Sequence, residues 1–315
     1  MSTLTLVARN LLVYGGSFVF VLGVVGNVLN IILFLSLKTF RETSAVMYLL
    51  LTSFAHIGLL LAGLITRIAY NIFAVDWTTL SVVYCKFRIY FFHFCGLCAL
   101  AGISLAIIDQ FLATSTRPQW RQCSNSKNAR YLSILTLIFW LAYLCPHLVN
   151  FDIVVDDRPS CAITNSVYAK YYNDIFIPVI WFILPYSIII LFGLLTYRNI
   201  RNISYRTVPL LRRRIDEQLT MMIYIQATFS VMITIPYMIY LTVLSHVSFS
   251  ADQFTMDRLL LVQNSVILLY YTCSASPFYI YVCASERFRR QLHHVFTGYF
   301  RNRWQKRRVH VIDIF

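Results

Sequence analysis

Charge is scarce in this chain, and carboxylates scarcer still. Its 315 residues carry 27 Lys and Arg but only 13 Asp and Glu, so charged residues make up 13%, about half the usual soluble share of roughly 25%. Glycine and proline are also few, at 10 and 8, which excludes collagen-like and low-complexity disordered chains. Eight cysteines are too few for a disulfide-built scaffold of this length. Apolar residues make up 58% and aromatics 16%, more than one or two soluble cores can hide. The composition is that of an integral membrane protein.

Spans lie between charges, because an ionised side chain at the bilayer centre is costly. Seven long charge-free windows stand out: 10–37, 43–66, 89–108, 131–151, 175–197, 218–251 and 259–285. About 20 apolar residues cross about 30 Å of hydrocarbon as a helix, so each window holds one helix. The runs are continuous rather than alternating, which excludes barrel strands. The expected fold is an all-α seven-transmembrane helix bundle. Its spans are placed at about 11–37, 44–68, 83–113, 131–150, 174–198, 217–246 and 258–283, within one membrane domain of residues 1–300. An amphipathic eighth helix over 286–297 follows, with Phe288, Leu292 and Val295 on one face and Arg289, Arg290 and His293 between. Residues 301–315 form a short basic tail.

Lysine and arginine set the orientation. With the N-terminus outside, 20 of the 27 basic residues fall in inner segments, while the acids divide almost evenly. The positive-inside bias therefore predicts a multi-pass plasma-membrane protein with an extracellular N-terminus and a cytoplasmic C-terminus. Basic residues strung between spans do not form a nucleic-acid face, so lipid is the expected surface partner. The first helix is expected to act as its own insertion signal, since residues 1–9 lack a cleavable pattern. The sequon Asn202-Ile203-Ser204 falls in an inner loop and should carry no glycan.

Compartment also sorts the cysteines. Cys95, Cys98, Cys145, Cys273 and Cys283 lie within spans as small packing residues, and Cys123 lies in a reducing inner loop. Only Cys85, opening the third span, and Cys161, in the second outer loop, face the oxidising side. A Cys85–Cys161 disulfide is expected, holding that loop over the mouth of the bundle. The Cys95/Cys98 pair has no histidine or acid at metal-ligand spacing and reads as packing. No metal or cofactor is implied. No nucleophile–base pair suggests an enzyme; a membrane transporter is the alternative from another class, which the odd span count and lack of a repeat disfavour.

Seven spans, an outer N-terminus and a cysteine at the top of helix three paired to loop two together resemble a rhodopsin-like G-protein-coupled receptor. Further positions agree: Gly26-Asn27 in helix one, Asp109 24 residues after Cys85, Trp140 in helix four, and Pro185, Pro236 and Pro277 in the last three helices. Ser285-Glu286-Arg287-Phe288 begins a stretch similar to the family's short eighth helix. The resemblance spans about residues 10–300 and implies a receptor for an extracellular ligand that activates a heterotrimeric G protein.

Departures from the family pattern are numerous. The arginine after the helix-three aspartate is Gln110, and the tyrosine after it is Phe111. His56 stands for the helix-two aspartate that holds sodium in the family, and Ser276-Pro277 for Asn-Pro. Thr234 replaces the helix-six tryptophan, and Gly193 stands where helix five has its tyrosine. The helix-seven tyrosine is Tyr279 or Tyr281 according to which end the count starts from; the count back from Phe288 gives Tyr281. In the family the helix-three arginine holds an acid low in helix six; Asp216, 20 residues before Pro236, is the counterpart of that acid. Asp109, Gln110, Phe111, Asp216, Pro236, Pro277 and Tyr281 are thus the expected switch residues.

By the same resemblance the ligand lies in the outer half of the bundle, among Arg67, Arg88, Phe92, His93, Tyr237, Tyr240, Gln263 and Tyr270. Phe92 stands where amine receptors carry aspartate, which disfavours a cationic amine. The window 259–285 has no lysine for a retinal Schiff base. Arg67 and Arg88 can face a carboxylate or equally snorkel to the outer headgroups; a peptide is the expected ligand, with a chemosensory small molecule as the alternative.

Overall fold

The computed structural model describes residues 3–36, 43–73, 75–155, 159–202, 210–246, 253–295 and 297. Seven long helical elements form an antiparallel bundle. They are α1 (Thr3–Ser36), α2 (Ser44–Phe73), α3 (Val82–Thr114), α4 (Ser126–Asn150), α5 (Ser166–Arg201), α6 (Leu210–His246) and α7, which runs Gln253–Ala275 and resumes at Pro277–Ala284. The two parts of α7 meet at 54°. Pro277 cannot donate to the helix before it, so the chain bends at Ser276. Six elements are individually long and apolar enough to cross a bilayer, and the bent α7 makes seven. The protein is a seven-transmembrane bundle.

Helix α3 is the central pillar, packed against α2, α4, α5 and α6. In the most apolar stretch of α3, 61% of residues are buried, against 11% in α4, which therefore lies at the periphery against lipid. Exposed side chains such as Phe18, Ile134, Ile138 and Met232 are what a helix facing hydrocarbon presents.

Three helices widen to π-helical turns at the end that carries Cys85: Leu11–Gly15 in α1, Leu60–Leu64 in α2 and Tyr172–Ile183 in α5. The last contains Pro178, whose ring would clash with the carbonyl one turn earlier in a regular helix; widening relieves that clash. Helix α1 starts at Thr3, ahead of the charge-free window, because Arg9 has a partner: its Nη2 donates to the Ile72 carbonyl at 3.1 Å. A cation at the last turn of α2 satisfies an orphan carbonyl and opposes the helix dipole.

Between α4 and α5 the chain forms a hairpin, β1 (Phe151–Val155) paired antiparallel with β2 (Pro159–Ile163), with Ile153 opposite Cys161. Cys161 is bonded to Cys85 at the start of α3, with Cα atoms 5.7 Å apart. The expected disulfide is present and lays the hairpin across the top of α3.

At the opposite end, residues 286–295 form a further helix, α8. Ser285 has extended backbone and its Oγ accepts from the Phe288 amide at 3.2 Å, an N-cap. Phe288 is fully buried against Phe34, Phe278 and Tyr281, while Arg290 is exposed and pairs with Glu286. Arg289 Nη1 donates to the carbonyls of Val282 and Cys283, closing the end of α7.

Candidate functional site

Two groups of polar residues stand out against the apolar bundle, one near the disulfide and one at the far end. Near the disulfide, His93 of α3 and His147 of α4 lie with ring centroids 4.9 Å apart. His93 Nδ1 meets the Ile89 carbonyl at 2.8 Å, so it carries the proton, and Nε2 accepts from the Tyr172 hydroxyl at 2.9 Å. His147 Nδ1 meets the Tyr168 hydroxyl at 2.9 Å. Phe176 and Trp181 close the box from α5. Trp181 also stacks on Phe92 at 5.9 Å. It can do so because residue 96 is glycine: a Cβ there would stand 2.3 Å from the indole ring.

Beside this box is a second layer, between α2, α3, α6 and α7. Arg88 Nε donates to the Ala62 carbonyl at 3.1 Å, which also accepts from Thr66 Oγ1 at 2.9 Å. Ala62 lies in the widened turn of α2. Arg67 and Arg88 are both within electrostatic reach of Tyr237 and Tyr271, and Arg67 also of Tyr240. Tyr237 stacks on Tyr270 at 4.6 Å. Gly63 makes room for this layer. A Cβ there would stand 2.1 Å from the Tyr271 hydroxyl and 2.9 Å from the Phe92 ring.

Of the residues expected to line a pocket, the structure brings Arg67, Arg88, Tyr237, Tyr240 and Tyr270 into one layer and Phe92 and His93 into the adjoining box. Gln263 is partly buried two turns before Tyr270 on α7. Sequence reasoning missed Tyr271, Tyr172, Trp181, Gly63 and Gly96 as parts of this region. The glycines alone carried a signal, as residues without side chains in otherwise bulky spans.

Deeper in the bundle, a cavity of about 30 Å³ is lined by His56, Trp181, Tyr186, Ser230, Thr234 and Ser274, among others. It is large enough for one or two waters. His56 is buried and its Nδ1 has no hydrogen-bond partner among the described residues. No three His, Cys, Asp or Glu side chains among the described residues converge as metal ligands.

At the far end, Asp109 is buried and accepts from Ser44 Oγ at 2.6 Å, tying α3 to the start of α2. Gln110 Oε1 accepts from Thr220 Oγ1 of α6 at 2.7 Å. Phe111 packs between Trp120 and Phe192, each at 5.4 Å. The Tyr281 hydroxyl donates to Gln226 Oε1, joining α7 to α6, and the Tyr281 ring lies against Phe34 and Phe288. Tyr279 instead faces outward and donates to the Leu22 carbonyl at 3.1 Å. Pro236 lies within α6 and Pro277 at the bend of α7. The Asp216 side chain lies outside the described residues.

Residues 20–296 match the family described as serpentine type 7TM GPCR chemoreceptor, Srsx. The match covers nearly all of the bundle. The chain belongs to this chemoreceptor family. No curated protein sequence matches it significantly. As an Srsx member it is a membrane receptor of the G-protein-coupled class, and it has the membrane helices and the Cys85–Cys161 disulfide expected of one.

Proposed function

We propose that this Srsx receptor sits in the plasma membrane with its N-terminus and disulfide outside, binds an extracellular ligand near the hairpin and activates a heterotrimeric G protein at the opposite end. The placement of 20 of 27 basic residues in the segments at the α8 end supports that orientation. The observation that carries the reading is family membership over residues 20–296 together with a hairpin pinned by Cys85–Cys161 above a polar layer. Arg67, Arg88, Phe92, His93, Tyr237, Tyr240, Gln263 and Tyr270 are the proposed ligand contacts. The sequence pattern points to a peptide, and a small chemosensory ligand fits equally. Membership of a chemoreceptor family supports the small molecule.

At the inner end, Asp109, Gln110, Phe111, Asp216, Pro236, Pro277 and Tyr281 are the proposed switch. The Gln110–Thr220 bond holds α6 to α3, and the Tyr281–Gln226 bond holds α7 to α6. Breaking both lets α6 swing about Pro236, where the helix has lost a backbone bond. Nucleotide exchange on purified G-protein heterotrimers, with and without the reconstituted receptor, tests the coupling. A receptor that accelerates exchange on none of the heterotrimer classes refutes it.

A further inference from the structure

The unusual feature of the ligand layer is a pair of like charges. Arg67 of α2 and Arg88 of α3 are both partly buried, and they lie close enough to repel each other. Neither is within ion-pair distance of a carboxylate among the described residues. Of the described acids at this end, Asp76 acts on Arg88 from beyond ion-pair distance, and all four have other engagements or lie exposed. Asp76 caps its own turn by accepting from Thr78 N and Oγ1, Asp152 pairs with Lys86 at 3.5 Å, Asp257 accepts from Thr5 at 3.0 Å, and Asp174 is exposed on α5.

Two guanidiniums drawn partly out of water with no carboxylate in ion-pair contact among the described residues are costly, and an anion placed between them removes most of that cost. Headgroup snorkelling would require the side chains to run outward along the helices. Arg88 instead reaches across to the backbone of α2, and Arg67 acts on the buried Tyr271. Arg88 is held by the Ala62 carbonyl through Nε, which leaves both terminal nitrogens for another acceptor. Both arginines face tyrosines of α6 and α7 across the bundle. The Tyr237, Tyr240 and Tyr271 hydroxyls add donors beside them, and the stacked Tyr237 and Tyr270 rings supply an apolar wall.

We propose that Arg67 and Arg88 form an anion subsite that receives the carboxylate of a small organic acid, whose apolar part lies along Tyr237 and Tyr270. This names the ligand class of the site described under the proposed function and rests on that reading. The carboxylate takes paired, charge-assisted hydrogen bonds from the guanidiniums, a geometry that a neutral ester cannot reproduce. Gly63 is a specificity-determining position, because any side chain there displaces Tyr271 and Phe92 from the layer.

The test uses the full-length receptor in phosphatidylcholine nanodiscs and reads binding as the rise in thermal unfolding midpoint. The probes are straight-chain mono- and dicarboxylic acids from acetate to decanoate, each beside its methyl ester. At least one acid should raise the midpoint while its ester does not. Arg67→Gln and Arg88→Gln should each weaken that acid by about tenfold or more, and Lys170→Gln, at an exposed lysine, should leave it unchanged. The acid-against-ester comparison needs no variant, so a variant that misfolds does not remove the test. The proposal is overturned if no acid acts, if esters match acids, or if the arginine variants bind as the parent does. It is also overturned if an acidic peptide panel acts where no small acid does. Phosphatidylglycerol in the disc that raises the parent midpoint, but not that of the variants, would assign the pair to a lipid headgroup and overturn it too. Binding is read without a G protein, so failure of coupling and failure of the anion subsite are separate results.

Discussion

The neutral bond between Gln110 and Thr220 should set how tightly the resting receptor is closed. The two side chains are 2.7 Å apart and both are buried, at 4% and 5% exposure. Thr220→Val keeps the shape of the side chain and removes the donor, stranding Gln110 Oε1 in an apolar site. Leaving a buried acceptor unsatisfied costs about 1–3 kcal/mol, which corresponds to a shift of about 5- to 150-fold toward the open state. Gln110→Leu removes the acceptor from the other side. With both partners apolar, nothing is stranded by this bond, and the double variant should be milder than the sum of the singles. Agonist-free nucleotide exchange, normalised to surface-expressed receptor, reads the open fraction. Thr220 takes part in a further interaction, so the single variant overstates the bond and the double-mutant cycle is the measure that isolates it. A coupling energy near 1 kcal/mol is expected. Strict additivity of the two singles would refute the idea that this bond is the α3–α6 latch.

Loss of the disulfide should be severe. The bridge spans 76 residues of separation, worth about 4 kcal/mol of loop entropy, so Cys85→Ser, Cys161→Ser and the double variant should each lower surface expression alike, as read by flow cytometry. Sodium should have little effect on ligand affinity, because His56, a buried imidazole, cannot attract a cation as a carboxylate does. Equal midpoints in sodium and in a large organic cation are expected, and a sodium-specific shift would count against this. Tyr281→Phe retains the ring against Phe34 and Phe288 but strips the bond to Gln226, so agonist-free exchange should rise by about fivefold or more at unchanged expression.

The bundle was legible in the sequence because spans are written as interruptions of charge, and charge is a property of single residues. The disulfide was legible for a similar reason: compartment alone left Cys85 and Cys161 together. Partners across the bundle were not legible. Spacing from Pro236 drew attention to Asp216, yet the described bond from Gln110 goes to Thr220, one helical turn further along α6. Nothing in a linear sequence sets the rotation of α6 against α3. The choice between Tyr279 and Tyr281 turned on the break at Ser276, whose geometry has no sequence period. In the structure the two tyrosines face opposite ways, and Tyr281 is the buried one. The His93–His147 pair joins two spans more than fifty positions apart through a π-helical α5, and hydrophobic periodicity does not predict that widening.

The bonds described between α6 and its neighbours at the end of the proposed switch are neutral, which leaves the closed state to be carried mainly by packing. They include Gln110 with Thr220, Tyr281 with Gln226 and Ser285 with Gln218, and higher in the bundle Asn27 donates to the Ser274 carbonyl at 3.0 Å. Each is worth about 1 kcal/mol net. Against them stands a buried aromatic group, Phe288 with Phe34, Phe278 and Tyr281, at centroid distances of 5.7 to 6.2 Å. Truncating a buried phenylalanine costs about 3–5 kcal/mol, more than all of these hydrogen bonds taken singly. Phe288→Ala should therefore lower the thermal midpoint more than Thr220→Val or Tyr281→Phe, and should detach α8, whose buried anchor it is. Increased exchange of the backbone amides of 286–295 would report that detachment. Phe288→Leu, which refills most of the space, should recover much of the loss. If Phe288→Ala is no more destabilising than Thr220→Val, the aromatic group does not dominate the closed state, and the hydrogen bonds carry more of it than their chemistry suggests.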